Sequence, residues 1–257
     1  MLRFKSLGSG SGGNSTLVEA CGLMPFRILI DCGLGIRQLA RRLGEAGLQP
    51  EDIHAVFITH EHGDHIGCAR TLALRYRIPV WMSHGTYTAM GAPDFDGLLH
   101  TARDGKTIDL GGLQLVPFSV PHDAREPLQL SCTDGSAKLG ILTDLGHATP
   151  HVLTHLQACD ALLLECNHDI ELLSQSVYPP FLKRRVGGQL GHLSNAAAAD
   201  IACAVTHSGL KHLVAAHLSA QNNRPHLVQE VMSKTLGCSI CDIVVAGATL
   251  GTPWLQV

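Results

Sequence analysis

At 257 residues the chain can bury a substantial core in one large domain or two small ones, and 45% hydrophobic with 16% charged residues is an ordinary globular composition, lean in charge. A net charge of −3 excludes a global basic field of the kind that binds nucleic acid indiscriminately, while leaving room for a local basic patch. Histidine is the outlier, with 16 residues against 19 Lys plus Arg, and many histidines stand beside Asp or where an apolar run stops.

Residues 2–7 read as a first strand, followed by the loop G-S-G-S-G-G-N of residues 8–14 and strands over 15–20 and 26–31. The loop lacks the G-K-[S/T] of a phosphate-binding loop and lies outside any βαβ unit. It is therefore either a flexible hairpin turn or a segment that lets backbone approach an anion or a metal site closely. Apolar residues at Ile36, Leu39, Ala40, Leu43 and Ala46 have helical spacing, with Gly47 as the stop. Residues 52–58, a short apolar run without helical period, predict a buried strand. A helix over 68–76, a short strand over 78–81 and a helix over 83–90 with Ser83 as N-cap follow. Residues 98–142 break into short strands at Asp-Gly and Gly-Gly turns. From 150 onward helix and strand alternate: helix near 149–157, strand 161–164, helix 195–204, strand 213–216, helix 225–236 with proline in its first turn, strand 242–245. No linker, low-complexity segment or long charge run interrupts this order, which predicts one layered α/β domain over residues 1–257.

Nine cysteines raise the question of redox chemistry. The number is odd, and most, such as Cys159 and Cys203, stand alone in apolar runs where a thiol behaves as a small hydrophobe. The C-x-x-C of Cys238 and Cys241 has no second pair for a zinc site and no βαβ context for redox. Free thiols, a start without an apolar signal core and the lack of any membrane-length apolar run lead to the expectation of a cytoplasmic protein that does not engage membranes.

Function turns on T-H-E-H-G-D-H, Thr59 to His65, at the end of the strand predicted over 52–58. His60 and His62 can converge on one metal if the loop bends, and Asp64 and His65 can reach a second beside it. Imidazole and carboxylate without thiolate suit zinc, manganese or iron rather than a soft-metal or iron–sulfur centre. Further ligands would then come from later strand ends: His122 after 113–120, Asp144 after 138–143 and His217 after 213–216. Asp31 also ends a strand, where it can stand behind a ligand imidazole and orient it.

The succession of a strand-ending Asp31, H-x-H-x-D-H at His60 to His65, then His122, Asp144 and His217 resembles the metallo-β-lactamase superfamily, and covers nearly the whole chain. More narrowly the chain resembles the YycJ (WalJ) group of small nuclease-like members. That likeness rests on S-G-S-G-G-N-S near the start, E-C-N-H-D at 165–169, Y-P-P-F-L-K-R-R at 178–185, G-H-L-S-N at 191–195 and A-H-L-S-A-Q-N-N-R-P at 216–225. The resemblance implies a four-layer αβ/βα sandwich with metals at one rim, and hydrolysis linked to 5′→3′ exonuclease action on DNA. It assigns His60, His62 and His122 to a first metal, Asp64, His65 and His217 to a second, and Asp144 to a bridge between two divalent ions, zinc or manganese, with iron compatible. The chain departs from the long nucleases of the superfamily in having no room for an inserted cap domain. It also lacks the long arm of the tRNA-processing members, which disfavours tRNA processing.

Two divalent cations roughly 3.5–4 Å apart would share a hydroxide for in-line attack on a phosphodiester. Asp64 can orient that hydroxide. The leaving oxygen needs a proton or a cation, and His192 and His168 are the candidates for general acid or phosphate contact, with a structural, hydrogen-bonded histidine as the alternative for each. Asn195 can touch the same phosphate or merely start a helix, and Glu165 can support His168 from behind. Lys183, Arg184 and Arg185 form the one dense basic run, which is either a solvated face or a set of phosphate contacts to a nucleic-acid backbone. Nucleic acid or a small phosphodiester is the expected substrate, and protein partners are unspecified. The rivals are a thioester or other carboxyl-ester hydrolase of the same fold and a non-catalytic metal-binding protein. Iron redox chemistry would be expected to place an acidic residue at His62.

Overall fold

The computed structural model describes residues 1–22 and 24–257. The first half opens with an antiparallel meander of β1 (Leu2–Gly8), β2 (Ser15–Ala20) and β3 (Phe26–Ile30). Helix α1 (Ile36–Glu45) then leads to β4 (Ala55–Phe57), which pairs parallel to β3. Helices α2 (Gly63–Ile66) and α3 (Ala69–Tyr76), strand β5 (Val80–Met82), helix α4 (His84–Ala89) and strand β6 (Leu99–Thr101) complete this half. In the second half β7 (Ile108–Asp109), β8 (Gln114–Ser119), β9 (Leu128–Thr133) and β10 (Lys138–Leu142) run antiparallel. They are followed by α5 (Pro150–Leu156), β11 (Ala161–Glu165), α6 (Ile170–Gln175), α7 (Pro180–Val186), α8 (Asn195–Val205), β12 (His212–Ala216), α9 (Pro225–Leu236), β13 (Ile243–Val245) and β14 (Leu255–Gln256). One sheet has the order β14-β1-β2-β3-β4-β5-β6 and the other β13-β12-β11-β10-β9-β8-β7.

Alternation along the strands builds the layers. In β3, Ile28 and Ile30 enter the core between the sheets while Leu29 packs under α1 and α3; in β4, Ala55 and Phe57 face inward and Val56 outward. In β11, Ala161 and Leu163 face the other sheet while Leu162 and Leu164 pack under α5, α8 and α9. Both faces of these strands are buried, which is why they read as continuous apolar runs rather than polar–apolar alternation. The result is the αβ/βα sandwich, in which β3, β4, β5 and β6 run parallel, as do β10, β11, β12 and β13. Their C-terminal ends therefore gather at one rim.

Several expectations shift by local chemistry. The strand expected over 52–58 is shorter, because Pro50 starts a 3₁₀ turn closed reciprocally by Gln49 and Asp52. The four-residue α2 inside the histidine motif, the short α6 and α7, and β14 were not foreseen, being too brief for a periodic signal. Ser83 does cap α4, accepting from the Thr86 N–H. Among the described residues no helix is long and apolar enough to cross a membrane.

Candidate metal centre

Residues that end strands on both sheets meet at the shared rim. From β4 come Thr59, His60 and the loop to His62, after which α2 turns Asp64 and His65 back toward the rim; His122 follows β8, Asp144 follows β10, Glu165 ends β11 and His217 follows β12. Asp31, Asp144 and His217 all adopt left-handed backbone, with φ of 64°, 53° and 54°. That conformation turns the chain sharply where each strand stops and presents the side chain at the rim, at a cost of order 1–3 kcal/mol per residue.

Donor atoms of His60, His62 and His122 cluster within 4.8 Å of one another, as do those of Asp64, His65 and His217, and those of His60, His65 and Asp144. Asp144 Oδ2 lies 2.9 Å from His65 Nε2, and Asp144 Oδ1 lies 3.2 Å from Nδ1 of both His217 and His192. The carboxylate thus stands between the two triads.

Partners behind the rings set which nitrogen points inward. His65 Nδ1–H donates to Asp31 (2.7 Å), His122 Nδ1–H to the Gly191 carbonyl (3.1 Å) and His217 Nδ1–H to Glu165 (3.0 Å). Thr59 ties the set together: its backbone N–H and its hydroxyl donate to Asp31 at 2.8 and 2.9 Å, leaving Oγ1 to accept from His60 Nδ1 at 3.0 Å. Each of these rings then offers Nε2 as a lone-pair donor, the arrangement a divalent cation needs. Asp31 thus stands directly behind the His65 ring.

Burial alone pushes an imidazole toward its neutral form, and at His60 and His122 it prevails, holding both below the usual histidine range. At His65, burial also opposes the charge but Asp144 and Asp31 outweigh it, and the ring sits well above that range. His217 is raised against burial by Asp144, Asp64 and Glu165 to about 9, and His192 by Glu165 and Asp144 to about 11. The same pairs, also against burial, hold Asp144 well below the usual carboxylate range and Glu165 at about 2. One buried atom is left over. Asp144 Oδ2 has no hydrogen-bond partner, since the nearby His65 Nε2 is close but not aligned to donate. A buried carboxylate oxygen without a donor, ringed by imidazole nitrogens, fits divalent cations in hard-donor coordination.

The glycine-rich loop resolves as a close-approach segment. Asn14 donates through its backbone N–H to the Asp64 carbonyl (2.8 Å) and through Nδ2 to the Asp64 carboxylate (3.3 Å), with Nδ2 also 3.1 Å from His65 Nε2. Gly33, after β3, donates to the Asn14 carbonyl (2.9 Å), and a Cβ on Gly33 would lie 1.7 Å from the Asp64 carbonyl oxygen. Only glycine admits the Asp64 loop at that distance.

An open cleft of about 380 Å³ covers the cluster, bordered by Ser11, Asp64, Asp123, Tyr178, Arg185 and His192. His192 Nδ1–H donates to Glu165 Oε1 at 2.7 Å, which leaves Nε2 available at the cleft. Helix α7 divides the basic run: Arg185 reaches the cleft and pairs with Asp123 at 2.6 Å, whereas Lys183 and Arg184 line a separate hollow with His168. Glu165 therefore supports His192 and His217 rather than His168. Asn195 is buried and exchanges amide hydrogen bonds with Asn223 at 3.0 and 2.8 Å, which commits its side chain to holding α8 and not to a phosphate. Sequence reasoning missed Asn14, Thr59 and Asp123 as parts of the site. Asp123 directly follows His122 and Asn14 closes the glycine loop, so position relative to recognised motifs was the available signal.

Replacing Gly33 by Ala removes no ligand atom but forces the Asp64 loop outward, so at least a tenfold weaker zinc affinity is expected in competition with a chelating dye; unchanged affinity would contradict the close-packing account. The titrating pairs give a second expectation for the metal-free protein. His217 and His192, raised to about 9 and about 11, contribute stability that is complete below their ordinary 6.5 and lost as pH rises through those values. Glu165, lowered to about 2, contributes stability that is complete above its ordinary 4.5 and lost as pH falls toward about 2. Burial of His60 and His122 works the other way, removing stability as pH falls below their ordinary 6.5. Chelated protein should therefore resist urea best near pH 6.5 and weaken both in acid and by pH 9, while metal affinity rises toward pH 9 as the proton leaves His217.

A sequence family described as "Beta-lactamase superfamily domain" matches residues 26–221. The chain is 32% identical over 240 residues to the exodeoxyribonuclease YycJ of Bacillus anthracis, covering 91% of this chain and 89% of that protein. It is likewise 32% identical over 239 residues to the exodeoxyribonuclease WalJ of Streptococcus pneumoniae, covering 91% and 88%. Among solved structures, the metallo-beta-lactamase fold protein YhfI from Bacillus subtilis superposes with a TM-score of 0.76 at 16% identity, over 100% of this chain and 99% of that one. Zn(2+)-bound PqqB from Methylobacterium extorquens superposes with a TM-score of 0.75 at 17% identity, over 100% of both chains. Those two likenesses establish the fold, and the matches in sequence establish the family: the chain belongs to the β-lactamase superfamily of metal-dependent hydrolases, within its YycJ/WalJ family.

Proposed function

We propose that the protein is a dinuclear metallophosphodiesterase acting on nucleic acid, as an exodeoxyribonuclease. The observation that carries the reading is the convergence of two donor triads on the buried Asp144 carboxylate. His60, His62 and His122 would hold one ion, Asp64, His65 and His217 the other, with Asp144 shared; zinc and manganese both suit the donors, and iron is compatible. Bound divalent ions supply an acidified water and neutralise charge on the phosphoryl oxygens. The substrate class draws on the exodeoxyribonuclease names of the two relatives, and the 5′→3′ polarity on the family resemblance alone. Nine free thiols support a reducing, cytoplasmic setting.

The chain's own groups then have distinct tasks. Asp64, a quarter exposed at the cleft, orients the attacking water. Glu165 holds His192 as an imidazolium through Nδ1, and His192 Nε2–H gives its proton to the leaving oxygen as the P–O bond breaks, yielding a phosphomonoester and an alcohol. Arg185, at the rim beside Asp123, exchanges that partner for a backbone phosphate and positions the strand without reading its bases.

Metal-loaded protein should hydrolyse both bis-p-nitrophenyl phosphate and end-labelled DNA, and leave a thioester panel untouched. His192→Asn should slow DNA cleavage by about 10²–10⁴-fold, the usual range for a lost general acid. The same variant should slow the p-nitrophenyl ester far less, since p-nitrophenolate leaves without a proton. Equal losses on both substrates would remove His192 from the acid role, and thioester turnover without phosphodiester turnover would overturn the proposed substrate class.

A further inference from the structure

One group of metal-binding side chains shares no residue with the rim. Donor atoms of Asp104, His151 and His155 lie within 4.8 Å of one another. His151 and His155 stand four apart in α5, and so are neighbours on one helix face, with ring centroids 4.6 Å apart in an edge-on arrangement. Asp104 comes from elsewhere in the chain. It lies in the segment 102–107 that carries the chain from β6 in one sheet to β7 in the other. The helical pair H-x-x-x-H is local, and the fold brings the carboxylate to it.

Strand β8 holds two of the three donors in place. The Ser119 N–H donates to Asp104 Oδ1 at 3.1 Å and the Gly105 N–H to the Pro117 carbonyl at 2.8 Å, which pins the loop to the strand. Phe118 stacks on the His155 ring, with centroids 4.8 Å apart and planes 11° from parallel, and so fixes that half-buried imidazole through its face rather than its nitrogens. Burial, with His151 beside it, holds His155 below the usual histidine range, where its ring is a neutral donor at neutral pH. Burial favours a proton on Asp104, but His151 and the Ser119 N–H outweigh it and keep the carboxylate charged. His151 Nε2–H donates to Asp104 Oδ1 at 2.9 Å. An exposed pair of that kind contributes little alone. The third donor, locked beside it, is what makes the group a ligand set. Lys138, the cation that also acts on His155, gives its protons to the His155 and Gln157 carbonyls at 2.9 and 2.8 Å.

We infer that Asp104, His151 and His155 form a further site for a first-row divalent ion such as zinc, separate from the rim. Two imidazoles and a carboxylate are a three-ligand set that leaves a position for water, and two histidines four apart on a helix are a pair that zinc accepts. The ion displaces the proton that His151 gives to Asp104. It thereby fastens the crossover between the sheets to α5, and stabilises the folded chain because the unfolded chain has no such site. His151 and Asp104 are 44% and 46% exposed, so the ion enters from solvent without passing through the cleft.

Zinc-loaded protein, freed of excess metal by gel filtration and then titrated with zinc chloride, tests the site through imidazole ¹⁵N NMR and thermal unfolding. Saturable shifts of the His151 and His155 ring nitrogens are expected, with a rise in Tm that follows the same binding curve. His151→Ala and Asp104→Asn should each weaken the binding read at His155 by at least tenfold and remove the gain in Tm. Hydrolysis of bis-p-nitrophenyl phosphate should be the same in both variants as in the unmodified protein, since neither residue reaches the rim. His151→Ala shortens an exposed side chain, and so decides the matter should Asp104→Asn loosen the loop. Added zinc that leaves the His151 and His155 rings unshifted, or that binds at His155 with equal affinity in both variants, would overturn the inference. Shifts confined to other histidines would do the same.

Discussion

Asp144 is a fully buried carboxylate placed where the strand ends of two sheets meet, and the surrounding rim is arranged to keep it charged. Desolvating a lone carboxylate is costly enough that it would normally take up a proton instead. Here His65, His217 and His192 close around it, and each ring is held from behind by Asp31 or Glu165. The array stabilises the metal-free rim only while those imidazoles keep their protons. It becomes a strong cation site once His65 and His217 give up their protons, so the pH behaviour of the apoprotein and its metal affinity are two faces of one charge balance.

The fold serves this balance through chain direction. Parallel strands in both sheets end at the same rim, and left-handed backbone at Asp31, Asp144 and His217 aims three side chains inward at the cost of local strain. Close approaches stabilise the arrangement: Gly33 lies under the Asp64 carbonyl, and Asn14 bridges the glycine loop to the histidine motif. Helix α7 then divides the space above the rim into a cleft over the metal cluster and a hollow behind it, with His192 between them.

Much of this was legible in the sequence because strand ends and metal donors follow simple rules. An apolar run that stops at Asp or His picked out Asp31, His122, Asp144 and His217 as strand-end candidates beside the histidine motif, and the family resemblance implied that they share one rim. The short elements were not legible. Helices α6 and α7 are six and seven residues long, below the length at which apolar periodicity is distinctive, so the basic run at 183–185 could not be divided between two faces. The partner of Glu165 was misread because His168 is near it in sequence while His192 and His217 are near it in space. Asn195 looked like a phosphate contact from its place after His192, but reciprocal pairing with Asn223 through buried amides is a tertiary fact with no local signature.

The central claim is that Asp144 joins two cation sites rather than closing one. Electron paramagnetic resonance of the manganese-loaded protein tests it most directly. The account predicts an exchange-coupled manganese pair that gives way to isolated ions in Asp144→Asn, with the fold retained by circular dichroism. A single uncoupled ion in the unmodified protein, however much manganese is supplied, would contradict it.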